Sequence, residues 1–596
     1  MRFRVWTLLA VLLTAMLVSA QVNNGVISGT VRDKAGAVVA GATVTARNLD
    51  TSFERTVQTN SQGYFILPAL PLGPYEVTIT SQDFAAFKDR AQVTVGGLAV
   101  VDAVLGVAAA STTVEVSAQA AAVEVNTQTQ EQSQIVSEEQ IAQLPSLTRN
   151  PYDFIAVSGN VSGGDRSSQS GNPQTSGGGQ NSSDRGVGFN INGQRASGTE
   201  ILLDGMENSN IFDTTISLLI PQDAVQEFRV VTNNFDAQYG RASGGVVNVS
   251  TKSGTNNFHG SAWEFNRLSA YTANTYDNNS NGIAKGNYTR NQYGFTFGGP
   301  AIKNKLFFFG STEWLRVRSN ASLLGYVPTS QFISATPQNV QDYFAKNGGT
   351  LPFISTVTKA DLAGKYVAGG AFDTAIPNPA TPIFGLVNYF APSDAGGDNP
   401  QNTYYMLVRG DYTYSDRTQF TFRYGRESLG LLPGSSFNSP YAQYNVGFTL
   451  VNDTYLGTAT HSFTQNLLST TRAGFSRDVR QNQYNTALHD TPTLFLYNGA
   501  SLGGQPVTLP GFYNNFTGTG GLPYGGPQNT VQIFEDLAWS KNTHTIRFGG
   551  QYDYIQMNKS YGAYAQAVQQ LGTSFAKGLE GMTNGLVTNF QAAVYP

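Results

Sequence analysis

The 596-residue chain contains no cysteine, which excludes disulfides, thiolate metal sites and a cysteine nucleophile. Its four histidines (His259, His461, His489, His544) stand far apart, with no HExxH and no partner at helical spacing. Charge is also scarce. Only 13% of residues are Asp, Glu, Lys or Arg, against roughly 25% in ordinary soluble domains. A net charge of −4 gives no electrostatic footprint for nucleic acid. Beyond the N-terminus no apolar run approaches the ~20 residues of a membrane helix. If this chain enters a bilayer, it must do so as barrel strands, the other way to satisfy every backbone polar group in lipid.

The abundant residues suit that route. Gly (64), Phe (36) and Tyr (29) are plentiful, and a wall between lipid and a polar lumen needs few charges. Arg2 and Arg4 precede an apolar run over residues 5–18 and a small-residue step at Ser19-Ala20. This is the pattern of a cleaved signal peptide, residues 1–20.

Residues 25–107 alternate in short runs punctuated by turns at Asp33-Lys34-Ala35-Gly36, Asn60-Ser61-Gln62-Gly63 and Leu72-Gly73-Pro74. Turn signals at that spacing predict a small Ig-like β-sandwich. From Gly29 to Ala46 the run GxVxDxxGxxVxGAxVxA resembles the carboxypeptidase regulatory-like domain. That resemblance implies a non-catalytic module, either a spacer or a binder of glycan or peptide. Residues 108–134 are rich in Ala, Thr, Gln and Ser and read as a linker. Within it Thr112, Thr113, Val114, Glu115, Val116, Ser117 and Ala118 alternate as an extended strand. They are either a last strand of the sandwich or a strand offered to a partner.

Residues 135–254 read as a small α/β unit. Ser137 caps a short helix that Pro145 stops, and residues 158–183 form a Gly/Ser/Asn-rich loop. Strands follow at 189–195 and 201–205, then a helical turn runs into a strand over 223–230. Tyr239, Gly240, Arg241, Gly244 and Gly245 lead into a buried run at 246–251. The steps Asn192-Gly193-Gln194-Arg195 and Leu203-Asp204-Gly205-Met206-Glu207-Asn208, with the segment 225–267, resemble the plug and plug–barrel junction of TonB-dependent outer-membrane transporters, most closely the Oar-like group. The resemblance implies a plug inside a barrel, with the 239–245 turn closing it against the wall. Glycine there serves positive φ and close backbone approach. It further implies that 112–118 is a TonB box, offered to a TonB-type energy-coupling protein by strand addition. Outer-membrane lipid and an unidentified extracellular ligand are the other implied partners; no cofactor, metal or active site is implied.

Residues 256–596 obey barrel parity. Met406, Val408, Tyr412 and Tyr414 alternate with Arg409, Asp411 and Thr413; Phe420, Phe422 and Tyr424 alternate with Thr421, Arg423 and Gly425. Ile546, Phe548, Tyr552 and Tyr554 likewise oppose Arg547, Gln551 and Asp553. Short turns at 415–417, 464–466 and 541–543 alternate with long connections over 319–402, 429–445 and 481–528. Such barrels sort loops in this way, short in the periplasm and long outside. The fold class is therefore mainly β: sandwich, small α/β plug and a partial antiparallel transmembrane barrel. About nine strands are legible, where transporters of this kind have about 22. The resemblance therefore implies a longer chain, truncated here, whose fragment does not insert stably alone.

Signals for catalysis are slight. Gly499-Ala500-Ser501-Leu502-Gly503 matches GxSxG, but Gly504-Gln505-Pro506 follows where a nucleophile elbow needs a helix. The loop Asp204 to Asn208 is a turn or a cation loop. Tyr404, Tyr405, Phe512, Tyr513 and Phe516 either contact a ligand or pack within loops and the interfacial girdle. The reading is a transporter or receptor in the outer membrane. Its alternative is a surface adhesin or carbohydrate-binding protein anchored by the same barrel, and a secreted hydrolase comes third.

Overall fold

The computed structural model describes residues 24–107, 114–115 and 131–592, apart from 147–148, 164–188, 212–213, 275, 281–284, 350, 393–398, 436, 465, 513–523, 542–543 and 562–565. The expected signal peptide, most of the linker, most of the Gly/Ser/Asn tract, and Tyr513 and Phe516 lie outside the described residues.

The first unit is the expected sandwich. β1 (Gly25–Asp33) joins β4 (Tyr64–Leu70) and the short β7 (Leu98–Val100) and β8 (Ala103–Leu105). The facing sheet holds β2 (Thr43–Asn48), β3 (Glu54–Gln58), β5 (Gly73–Thr80) and β6 (Phe87–Val93). Alternation puts Val44, Ala46, Val77 and Ile79 of one sheet against Ile27, Phe65 and Leu67 of the other in one core. At its edge β9 (Val114–Glu115) pairs in parallel with Phe87-Lys88 of β6.

The plug is built on a five-stranded sheet of β10 (Gln132–Ser137), β15 (Val225–Asn233), β16 (Gly245–Thr251), β13 (Thr199–Leu203) and β14 (Met206–Glu207), in that order. β11 (Val161–Gly163) and β12 (Phe189–Ile191) pair separately. The helix Glu138–Gln143 starts as expected: Ser137 accepts from the Gln140 amide and the Gln140 side chain accepts from the Ser137 amide, a capping box. Every residue of β16 is buried. The two strands read around 189–205 do not pair with each other: β12 pairs with β11, and β13 with β14 and β16.

The third unit is a curved antiparallel sheet. Its continuous path runs β17 (His259–Leu268), β18 (Asn287–Ile302), β19 (Leu306–Pro328), then, past β20 (Phe353–Thr358) and β21 (Pro382–Pro392), β22 (Gln401–Ser415), β23 (Thr418–Leu431), β24 (Gly447–Thr464), β25 (Leu467–Gln483), and, past β26 (Thr493–Phe495), β27 (Ser501–Leu502) and β28 (Gln505–Pro506), β29 (Tyr524–Lys541) and β30 (His544–Met557). That path has the nine strands read from the sequence. Strands overrun the expected loop starts, since β19 continues to Pro328 and pairs there with β21. The described parts of the long connections, with the segment after β30, fold together beyond the sheet, where Phe332, Phe372, Phe384, Leu496, Leu579 and Met582 share a separate apolar core. Glu580 ties two of these connections together, accepting from the Ala371 amide at 2.7 Å and the Phe372 amide at 3.1 Å.

The plug lies in the concave face. Phe309, Tyr405 and Leu407 of the wall join Leu203, Leu218, Phe228 and Val249 of the plug in one core. The passage from plug to wall leaves no room at Gly254, where an added Cβ would stand 2.4 Å from the Phe308 carbonyl oxygen and 2.7 Å from that of Gly299. Backbone cannot yield as a side chain does. Gly254→Ala is expected to destabilise the plug–wall union by about 1–3 kcal/mol, measured as a lower thermal midpoint of detergent-solubilised protein; an unchanged midpoint would remove this close approach as a constraint.

Candidate functional site: the plug–wall interface

The wall turns its charges inward at the parity opposite its aromatics. Arg423, Glu427, Arg472 and Arg480 are almost wholly buried, whereas Phe420, Phe422, Tyr412 and Tyr455 stand exposed on the convex face. Burying ions requires partners, and a single plug segment supplies many of them. Asp204 and Gly205 both have positive φ (50° and 76°) and connect the paired residues Leu203 and Met206. Asp-Gly is the dipeptide that such a two-residue hairpin favours. The turn presents Asp204 to the wall, 3.2 Å from Arg423 Nη1 and 3.7 Å from Arg409 Nη1. Asp204 also accepts from the amide and the hydroxyl of Thr251, both at 2.9 Å.

Around this hub the wall bonds to plug main chain. Arg423 donates to the Leu203 carbonyl at 3.0 Å, Arg472 to that of Gly205 at 2.8 Å, and Arg409 to that of Thr251 at 2.8 Å. Asn452 donates to the Ser217 carbonyl at 3.0 Å, and Glu427 accepts from the Leu219 amide at 2.9 Å. Arg480 reaches the Thr215 hydroxyl at 3.1 Å. On the other flank Glu313 accepts from Arg149, Trp263 Nε1 (2.9 Å) and Gln292 (2.8 Å), and Arg149 also pairs with Asp223. The interface is thus largely polar, made of charge-assisted bonds to backbone groups.

The residues of the expected junction lie elsewhere. Gly244 and Gly245 are buried inside the plug, where added Cβ atoms would meet the Ile191 carbonyl oxygen (3.1 Å) and the Ile191 Cδ1 and Val231 carbonyl oxygen (both 2.8 Å). Gly240 has open space around it. Close approach within the plug accounts for Gly244 and Gly245, and neither they nor Gly240 has positive φ. Arg241 pairs with Glu207 at 3.2 Å, and the Tyr239 ring packs edge-on to Phe235. Asp236, just before this turn, reaches Arg547 of β30 at 3.1 Å. Of the candidate box, Thr112, Thr113, Val116, Ser117 and Ala118 lie outside the described residues.

The remaining candidates are quiet. Ser501 sits in the two-residue β27, paired with Pro506 of β28, with no helix after it. The Asp204–Asn208 loop is held by arginines rather than open to a cation, and among the described residues no acidic or histidine group has metal-binding geometry. Phe512 is buried against the rings of Tyr444 and Tyr484. Tyr404 packs at a tilt against Trp314 on the convex face.

A family profile described as an outer membrane beta barrel domain matches residues 250–594. The chain belongs to this outer-membrane β-barrel family. A second profile, the carboxypeptidase regulatory-like domain, matches residues 26–106. The TonB-dependent transporter Oar of Myxococcus xanthus is 29% identical over 299 residues, 49% of this chain and 27% of its own length. The outer-membrane transporter YddB of Escherichia coli aligns at TM-score 0.45 and 13% identity over 74% of this chain and 50% of its own. The siderophore receptor PirA of Acinetobacter baumannii aligns at 0.42 and 14%, over 72% and 48% respectively. The chain therefore spans about a quarter of its curated relative and about half of these solved chains.

Membership in the outer-membrane barrel family orients the molecule. The end bearing the short turns between β18 and β19 and between β22 and β23 faces the periplasm, and the long connections face outward. Two aromatic clusters stand at different heights on the lipid-facing side of neighbouring strands. Phe258, Phe297 and Phe308 cluster near the short turns, while Tyr293, Trp314 and Tyr404 cluster six residues higher on β19. At ~3.3 Å per residue the clusters stand about 20 Å apart, near the ~25 Å apolar height of such walls.

At the periplasmic face of the plug, Glu227 accepts from the Val95 amide of the sandwich beside Arg229. Burial pushes its carboxyl up to about 7, against the lowering pull of the Val95 N–H and of Arg229. Burial and the neighbouring Glu207 raise Glu200 to about 7 as well.

Two outcomes test this site. Asp204→Asn leaves Arg423 buried without an anion and is expected to cost about 3–5 kcal/mol, seen as faster hydrogen exchange over residues 199–219; replacing Arg423 by Met in the same chain is expected to restore part of it. The second concerns pH. A carboxyl whose folded pKa lies above its unfolded value stabilises fully below pH 4.5, and that contribution is lost as pH rises to about 7. Glu227→Gln is therefore expected to flatten the fall in thermal midpoint between pH 4.5 and 8; an equally steep fall would mean that Glu227 is not its source.

Proposed function

We propose that the protein is a TonB-dependent outer-membrane transporter or receptor of Oar-like type, taking up an unidentified ligand through a plugged barrel. The observation that carries this reading is the chemistry of the plug–wall interface. Wall arginines, the Asn452 amide and the Glu427 carboxylate hold the segment 203–219 by hydrogen bonds to its main chain. Water can replace such bonds one at a time as the segment is drawn out, whereas a dry apolar union would resist. The likeness to Oar supports the same reading.

Force would enter through residues 112–118, which follow the sandwich directly. Val114-Glu115 occupies the β6 edge, so a coupling protein that adds a strand to this segment must exchange that pairing for its own. A role as a surface adhesin has one observation in its favour: the outward connections fold around a core of their own, as a binding head does.

A photo-crosslinking amino acid at Val116 separates the two readings. The transporter is expected to give an adduct with a TonB-type protein of the inner membrane in living cells, lost when residues 112–118 are deleted. Absence of any adduct from a chain that is present in the outer membrane would leave the adhesin.

A further inference from the structure

Among the described residues the sandwich is hydrogen-bonded to the rest of the molecule at two clasps, next to a cavity. The first is on the wall. The Asn256 amide donates to the Asp50 carbonyl at 2.9 Å, and the Asn256 side chain reaches the Ser52 hydroxyl at 3.4 Å. That side chain is itself anchored to the turn between β18 and β19, donating to Asn304 Oδ1 and accepting from the Asn304 amide, both at 2.8 Å. The second clasp is on the plug. Arg229 donates to the Val95 carbonyl at 3.0 Å and pairs with Glu131 at 2.5 Å, while Glu227 holds the Val95 amide. Gly96 makes room for Arg229, since a Cβ there would stand 2.3 Å from Nη1.

Next to the clasps lies a cavity of about 620 Å³. Its walls are Phe307, Arg409, Asp411 and Thr421 of the barrel, and it reaches up to Asp204 and Arg423. Its floor is the sandwich, through Asp50, Thr51, Phe53 and the turn 71–74. On this side of the plug the sandwich stands between the cavity and the periplasm, and a gap opened between plug and wall here would discharge onto it.

We infer that the sandwich is a removable floor of the barrel lumen, which must release the Asn256 and Arg229 clasps before the space between plug and wall communicates with the periplasm. Its meaning for passage rests on the transporter reading, but the closure itself does not. The plug clasp sits on β15, a central strand of the plug sheet. Drawing the plug away from the sandwich breaks that clasp, while the Asn256 clasp, held by the wall, has to be released as well.

The absence of cysteine makes the test clean. In the purified full chain in detergent, Thr421→Cys is modified with a bulky maleimide and the rate at that residue is read by peptide mass. Adding Arg229→Ala is expected to raise the rate about tenfold, the population shift of a lost charge-assisted contact. Adding Ser52→Cys and Asn256→Cys instead, then oxidising, is expected to lower it about tenfold relative to the same protein reduced. That comparison is made within one folded sample, so it stands if Arg229→Ala fails to fold. Equal rates in the oxidised and reduced protein would overturn the floor. Loss of the Val116 adduct, by contrast, would leave the floor intact and remove only the transporter.

Discussion

The buried charges of the barrel wall govern the rest of the structure. Arg423, Arg472 and Arg480 project from strands whose opposite face meets lipid, so their side chains have only the lumen to occupy. Without the plug they would line a wet channel; with it they are dry and need anions or carbonyls at once. Wall carboxylates pair with two of them, Asp536 with Arg472 and Asp478 with Arg480, and the 203–219 segment adds Asp204 for Arg423 and a series of main-chain carbonyls and amides. Plug and wall therefore specify each other, and the position of the Asp-Gly turn decides their alignment.

The same arrangement reconciles firmness with release. An interface made of many separate hydrogen bonds to backbone is specific in register, yet each bond has a ready substitute in water. The apolar part, where Phe309, Tyr405 and Leu407 meet the plug core, fixes position without enclosing the whole contact. Below, the sandwich adds a second layer through Asn256 and Arg229, so the periplasmic mouth is covered by a domain whose own core is independent of the barrel.

Much of the architecture was legible in the sequence because its periods are local. Strand parity placed Arg409, Asp411 and Arg423 inside and Tyr412 and Phe422 outside, and the structure agrees. The helix cap at Ser137 and the nine-strand path followed from the same kind of signal. The contacts were less legible. Glu313, Glu427, Arg472 and Arg480 sit at inward parity in aromatic-rich strands, a signal that was available, but parity names a face and not a partner. Gly254 could not be distinguished from dozens of other glycines, because its importance lies in two carbonyl oxygens that belong to distant strands.

The sequence by itself determined the periods: two-residue alternation with aromatics on one side, long connections sorted from short ones, and an Asp-Gly dipeptide suited to a tight turn. These are properties of neighbouring residues, and backbone geometry converts them directly into strands and hairpins. Only the tertiary structure decided what each buried charge meets, since Arg423 and Asp204 are 219 residues apart in the chain. It also decided that the sandwich lies across the lumen, because two weak clasps on separate domains leave no periodic trace in either.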